Sequence, residues 1–193
     1  DAADLTIIGD FGLNEEDQNL IECASGIKQV EYGYLKDATI KGTDESLRVQ
    51  SAPKEVSHYQ VVEGRLPEKT NEIALGSYLS NEHGLGDVIE LEEKEDAQGK
   101  TVLTQNSFTV VGFVDSSELI SGVNLGESTA GSGVLTGYAI VEPEAFNSDV
   151  YMTARLTFED TAGLDPYSDT YTNRVHAHRD ELERLLADRP DLR

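Results

Sequence analysis

The sequence predicts an α+β chain: a β-α-β-β beginning, a turn-dense β-rich middle, a β-α-β ending and one long closing helix. Three observations point there. Apolar residues alternate at period 2 in several short segments. Turn residues crowd the middle, with Gly64, Pro67, Gly76, Gly84 and Gly86 inside 23 positions. The last stretch alone carries a sustained helical stripe.

Each element has a local reason. Leu5, Ile7 and Ile8 make residues 3–9 a strand. Asn14 caps a helix whose first turn holds Glu15, Glu16 and Asp17, with Leu20, Ile21 and Ala24 facing inward and Gly26 as the stop. Val30, Tyr32 and Tyr34 alternate with Glu31, Gly33 and Leu35. A turn at Lys41-Gly42-Thr43-Asp44 leads to Leu47 and Val49, and residues 56–62 lead onward. Glu72–Leu75 reads as a brief strand and residues 77–83 as a short helix ended by Gly84. Gly86-Asp87 turns the chain into a strand bearing Ile89 and Leu91. Residues 92–100 form an acidic hairpin tip, and residues 102–105 and 107–114 continue as strands. Residues 121–137 hold five glycines and read as a loop, followed by a strand at 134–141, a short helix opened by Pro143 and a strand at 150–158. On that last strand Val150, Met152, Ala154, Leu156 and Phe158 share one face, and Thr153, Arg155 and Thr157 the other. From Pro166 to Asp188 a helix follows, with Tyr171, Val175, His178, Leu182 and Leu185 spaced 4, 3, 4, 3 as a heptad seam. Two readings compete for it: an amphipathic helix lying on its own domain, or a stalk projecting away.

Composition excludes several functions. The formal charge is −22, from 37 acids and 15 bases, which repels phosphate backbones and anionic lipid and argues against nucleic-acid binding. One cysteine, Cys23, rules out an internal disulfide; its place beside the apolar helix face predicts a buried thiol. No run reaches the ~18–20 apolar residues of a membrane span. A chain opening on Asp1, with no Met and no signal-like stretch, reads as a mature product or an excised piece.

Reactive constellations are missing from the pattern. His176 and His178 stand at i and i+2, on different helix faces, and His58 and His83 are isolated, so no metal ligand set is predicted. Ser116 has no nucleophile-elbow context. The segment GESTAGSG (126–133) lacks the G-K-[ST] ending of a phosphate loop and carries Glu127. It reads as a flexible contact loop or gate, with Gly126, Glu127, Gly131 and Gly133 as contact residues. Arg65, in its Gly–Pro bend, suits either a turn lock or a carboxylate ligand. No catalytic, cofactor or metal residues are assigned.

One ordered series of motifs carries a resemblance. YQVVEGRLPEKTNEIAL (59–75), GLGDVIEL (84–91) and FTVVGFVDS (108–116) resemble the extracytoplasmic domain of FtsX/MacB-like permeases of ATP-binding-cassette transporters, in which G-R-x-P, N-E-I, G-D-x-I and F-x-V-V-G follow in that order. DVY (149–151) and YSDTY (167–171) resemble the Gram-positive variants. The segment DSSELI (115–120) departs from the pattern, lacking a proline and an aromatic after the serine. The resemblance implies a porter-like α+β subdomain from residues 1–60 and 135–167, an inserted β-rich subdomain at 61–134, and a stalk helix at 168–193 running toward a membrane span. It also implies a non-enzymatic, extracellular module of a membrane-embedded, dimeric permease. A cytoplasmic ATPase subunit would drive it, and an extracellular protein or peptide would be its partner. A stand-alone peptide- or glycan-binding module, its cleft lined by Tyr32, Tyr34, Tyr59 and Tyr138, is the alternative; a hydrolase with a dispersed site is a third reading.

Overall fold

The computed structural model describes residues 2–56, 59–93, 101–116, 122–125 and 137–187. The fold is α+β and built in three layers: two helices, a four-stranded sheet, and a second sheet that closes on itself.

The chain order is β1 (Leu5–Leu13), α1 (Glu15–Glu22), β2 (Ile27–Gly33), β3 (Leu35–Ile40), β4 (Ser46–Ser51), β5 (Tyr59–Gly64), β6 (Glu72–Gly76), β7 (Val88–Glu93), β8 (Ser107–Ser116), β9 (Gly122–Leu125), β10 (Gly137–Val141), β11 (Tyr151–Phe158) and α2 (Asp169–Ala187). The first sheet runs β2-β11-β1-β9, with β9 parallel to β1 and the other pairs antiparallel. The second runs β5-β8-β6-β10-β4-β3-β7. Because β7 also pairs with β8, through Val88–Thr109, Ile89–Phe108 and Glu90–Ser107, the six strands from β8 to β7 close into a barrel. β5 occupies the rest of that edge of β8.

Alternation explains the barrel core. Leu47 and Val49, Ile73 and Leu75, Ile89 and Leu91, and Ala139 and Val141 point inward and are buried, joined by Phe108, Val110 and Phe113. The step from Val110 to Phe113 breaks strict alternation. A bulge at Val111–Gly112, marked by the register shift against β6, restores the inward direction. Each of these side chains larger than alanine contributes about 1.5–3 kcal/mol on leaving water.

Helix α1 starts where expected. The Asn14 side chain accepts from the Asp17 amide at 2.8 Å, and the Asp17 carboxylate accepts from the Asn14 amide at 3.0 Å. Such a reciprocal cap is worth about 1 kcal/mol.

β11 separates two environments. Ala154, Leu156 and Phe158 pack with Ile21, Val175, Leu182 and Leu186 under the helices. On the opposite face Arg155 is 1% exposed and donates to Gln50 Oε1 of the barrel at 2.6 Å. Its guanidinium also lies 6.0 Å from the Tyr59 ring centroid.

Four expectations change. Strands β3, β4 and β10, assigned to the porter-like part, hydrogen-bond in the same sheet as β5–β8. The sheets therefore do not divide at residues 61 and 134. The layer built from both chain ends holds β1, β2, β9, β11 and both helices. β9 is a strand inside the segment read as loop: its four residues pair with β1 through backbone groups, which glycine content does not forbid. Among the described residues, 102–105 make one bridge, Leu103 with Phe146. Cys23 is exposed, because the helix ends at Glu22 and Cys23 is its C-cap, turned off the apolar stripe.

Candidate functional site

The three motif segments meet around β8. Gly64 has φ +74°, and a Cβ there would collide with the Val111 carbonyl oxygen; a Cβ on Gly112 would collide with the carbonyl oxygen of Arg65. The two glycines let β5 cross β8 in backbone contact, and the Arg65 amide donates to the Val111 carbonyl at 2.9 Å. The second motif joins at Gly86, whose amide donates to the Val110 carbonyl at 2.8 Å, and the first again at Asn71, whose carbonyl accepts from Thr109 at 2.8 Å.

Arg65 is occupied within this junction. Its guanidinium donates to Glu72 Oε1 at 2.9 Å and Oε2 at 2.6 Å, and to the Leu66 carbonyl at 3.1 Å. Glu72 Oε1 also accepts from the Glu68 and Lys69 amides at 2.9 and 3.0 Å. The planar fork thus fixes the bend between Gly64 and β6. The Arg65 hydrogen bonds, and next the Glu68 amide, hold the Glu72 carboxyl at about 2, below its ordinary 4.5. A depressed carboxyl stabilises the fold above its unfolded value and loses that contribution as the pH falls toward the folded one. Stability is therefore expected to decline between pH 4.5 and about 2. Glu72→Gln should be less stable at pH 7 and show a shallower decline in that window, measured by denaturant titration at stepped pH.

The helical seam is also accounted for. Val175 and Leu182 are buried beneath α2, and Leu185 packs half-buried against the same cluster. The His178 ring stacks on Phe158 at 3.9 Å between centroids, and its Nε2 lies 2.8 Å from Asp160 Oδ1. The Tyr171 hydroxyl donates to Asp4 Oδ1 at 2.7 Å, and burial, followed by this bond, pushes its pKa up. Asp4 Oδ2 accepts from the Phe158 amide and the Thr161 hydroxyl. The seam is the stripe by which α2 lies on its own sheet. That corrects the projecting stalk for residues 169–187: burying Val175 and Leu182 on this sheet is more favourable than leaving them in water. Gly126, Glu127, Gly131 and Gly133 lie outside the described residues.

The four tyrosines do not line one cleft. Tyr32 and Tyr34 each stand 5.3 Å from Tyr151, while Tyr59 and Tyr138 pack over Ala74, Val114 and Ile140. The Tyr138 hydroxyl accepts from the Ser116 amide at 3.0 Å.

One donor cluster escaped the sequence reading. Glu45, in the β3–β4 turn, meets Glu82 and His83, just after the 3-10 turn Ser77–Asn81. His83 Nε2 is 3.0 Å from Glu45 Oε2. Burial raises the Glu45 carboxyl, but the hydrogen bonds of Glu82 and His83 outweigh it and leave it below its usual value; Glu82 is pushed up by Glu45. Thirty-eight positions separate Glu45 from His83, so no local spacing announces the pair.

No helix among the described residues is long and apolar enough to cross a membrane. No family model matches the chain, and no curated protein matches it in sequence. Solved structures are similar to it. The extracellular domain of the noncanonic ABC-type transporter YknZ from Gram-positive bacteria matches at 15% identity and a TM-score of 0.45, over 95% of this chain and 91% of that one. The periplasmic region of MacB from Actinobacillus actinomycetemcomitans matches at 11% and 0.42, over 93% and 85%. A domain of a putative permease protein from Porphyromonas gingivalis matches at 12% and 0.38, over 86% and 77%. Identities this low and TM-scores below 0.5 do not place the chain in a family.

Proposed function

We propose that this chain is a non-enzymatic extracytoplasmic domain of a membrane transport permease, and more narrowly of the FtsX/MacB-like type of ATP-binding-cassette permease. The observation that carries the reading is the junction at β8. Motif segments 59–75, 84–91 and 108–116, which resemble that family in order and spacing, form one interlocked unit through Gly64, Arg65, Glu72, Gly86 and Gly112. Their residues are spent on backbone contact and a closed ion pair, the chemistry of a stiff receiver. In this reading a cytoplasmic ATPase subunit drives motion through the parent's membrane helices, and the domain passes it to an extracellular substrate or protein partner. Arg65 serves as an internal lock. The glycine-rich segment with Gly126, Glu127, Gly131 and Gly133 is the proposed contact loop. The parent acts as a dimer.

The exposed Cys23 supplies the test. With the parent protein in intact cells, a membrane-impermeant maleimide is expected to label Cys23, to lose that label in Cys23→Ser, and an ATP-hydrolysing subunit should co-purify. Labelling only after lysis would overturn the location, and purification without any ATPase subunit would overturn the transporter assignment.

A further inference from the structure

We propose that Glu45, Glu82 and His83 form a binding site for a divalent cation of the zinc class. This inference is independent of the permease reading. The three side chains each offer one ligand atom, and these atoms lie within 4.8 Å of one another. Three ligands on a tetrahedral zinc, at bonds of about 2.0–2.2 Å, stand about 3.3–3.5 Å apart. Glu45 and His83, at 3.0 Å, are close to that spacing, and rotation of the exposed Glu82 side chain closes the rest.

The donor chemistry favours a cation. Two carboxylates and an imidazole balance a charge of +2, and a cation between them relieves the repulsion of Glu45 and Glu82. Imidazole with carboxylate suits zinc and its neighbours in the transition series; calcium and magnesium prefer oxygen alone. The carriers are fixed before any ion arrives. The Thr43 hydroxyl donates to the Ile40 carbonyl at 2.8 Å and accepts from the Glu45 amide at 3.0 Å. Beyond the 3-10 turn the Glu82 and His83 amides both donate to the Leu79 carbonyl at 3.1 Å. Glu45 and His83 are 14% and 13% exposed, so most of their hydration is already gone. On one side His83 borders a cleft of about 540 Å³, shared with Lys41, Thr43, Asp87 and Glu90, which leaves room for water or an incoming group at a fourth position. Binding would tie the β3–β4 turn to the segment leading into β7.

The chain carrying Cys23→Ser, stripped with a chelator, should take up one Zn²⁺ in calorimetric titration. Glu82→Gln and His83→Gln should each weaken that affinity by at least ~10-fold, the low end of what disturbing a metal site costs. His176→Gln should not change it. Zn²⁺ should also raise the melting temperature of the chain but not of Glu82→Gln. Because Glu82 is exposed, its variant keeps the fold, and an unchanged melt without metal verifies this. Absence of saturable zinc binding, equal affinity in Glu82→Gln, or binding of Ca²⁺ and Mg²⁺ with no preference for Zn²⁺ would each overturn the site.

Discussion

Gly112→Ala is expected to lose about 3 kcal/mol or more of stability, at the upper end of what overpacking costs. The added methyl meets the carbonyl oxygen and carbon of Arg65, and these are backbone atoms in a strand crossing held from both sides. Arg65 cannot move away without breaking its fork on Glu72 and its amide bond to Val111. For a chain of this length each kcal/mol moves the midpoint by about 2–4 °C, so thermal melting should fall by about 6–12 °C. Gly84→Ala is the matched control. Its Cβ meets nothing nearer than 3.9 Å, and its effect should stay within about 0.5 kcal/mol. Equal melting of the two variants would mean that the junction at β8 is slack.

Leu182→Ala gives the second large effect. Leu182 is 1% exposed and packs with Ile21, Ala154, Leu156 and Phe158. Removing three side-chain carbons, Cγ and the two Cδ methyls, from such a site costs about 2–5 kcal/mol. In a helix projecting from the domain the change would act only through propensity, and because alanine is the best helix former it would be neutral or stabilising. Denaturant unfolding of this one variant therefore separates a packed helix from a free one. Leu185→Ala, at a half-buried seam position, should cost less than Leu182→Ala.

Local chemistry was legible in the sequence, and the partner of each surface was not. The Asn14 cap, the alternation in β4 and β7 and the two faces of β11 all follow from residues within a few positions of one another. The spacing of Tyr171, Val175, His178, Leu182 and Leu185 specifies a stripe, but a stripe is the same whether another chain or its own sheet covers it. The sheet order was hidden for a similar reason. Period 2 assigns a face to each residue and says nothing about which strand lies alongside, so the closure of β7 on β8 and the passage of β3, β4 and β10 into the barrel were out of reach. The Glu45–His83 pair fell to the same limit. Arg65 is the instructive intermediate: its bend was visible, and Glu72 lies only seven residues away, yet the two backbone amides that fill the carboxylate appear only once the turn is folded.

The pairing of Leu5 with Leu156 across β1 and β11, against a barrel contained between β3 and β10 with its last strand ending at Val141, orders events during synthesis. A nascent chain can assemble the barrel while β1 still waits beside it without its antiparallel neighbour. The ribosome must deliver β11 and then α2 before β1 gains its antiparallel neighbour and its helical cover, so among the described strand pairs the loop joining β1 to β11 is the longest to close.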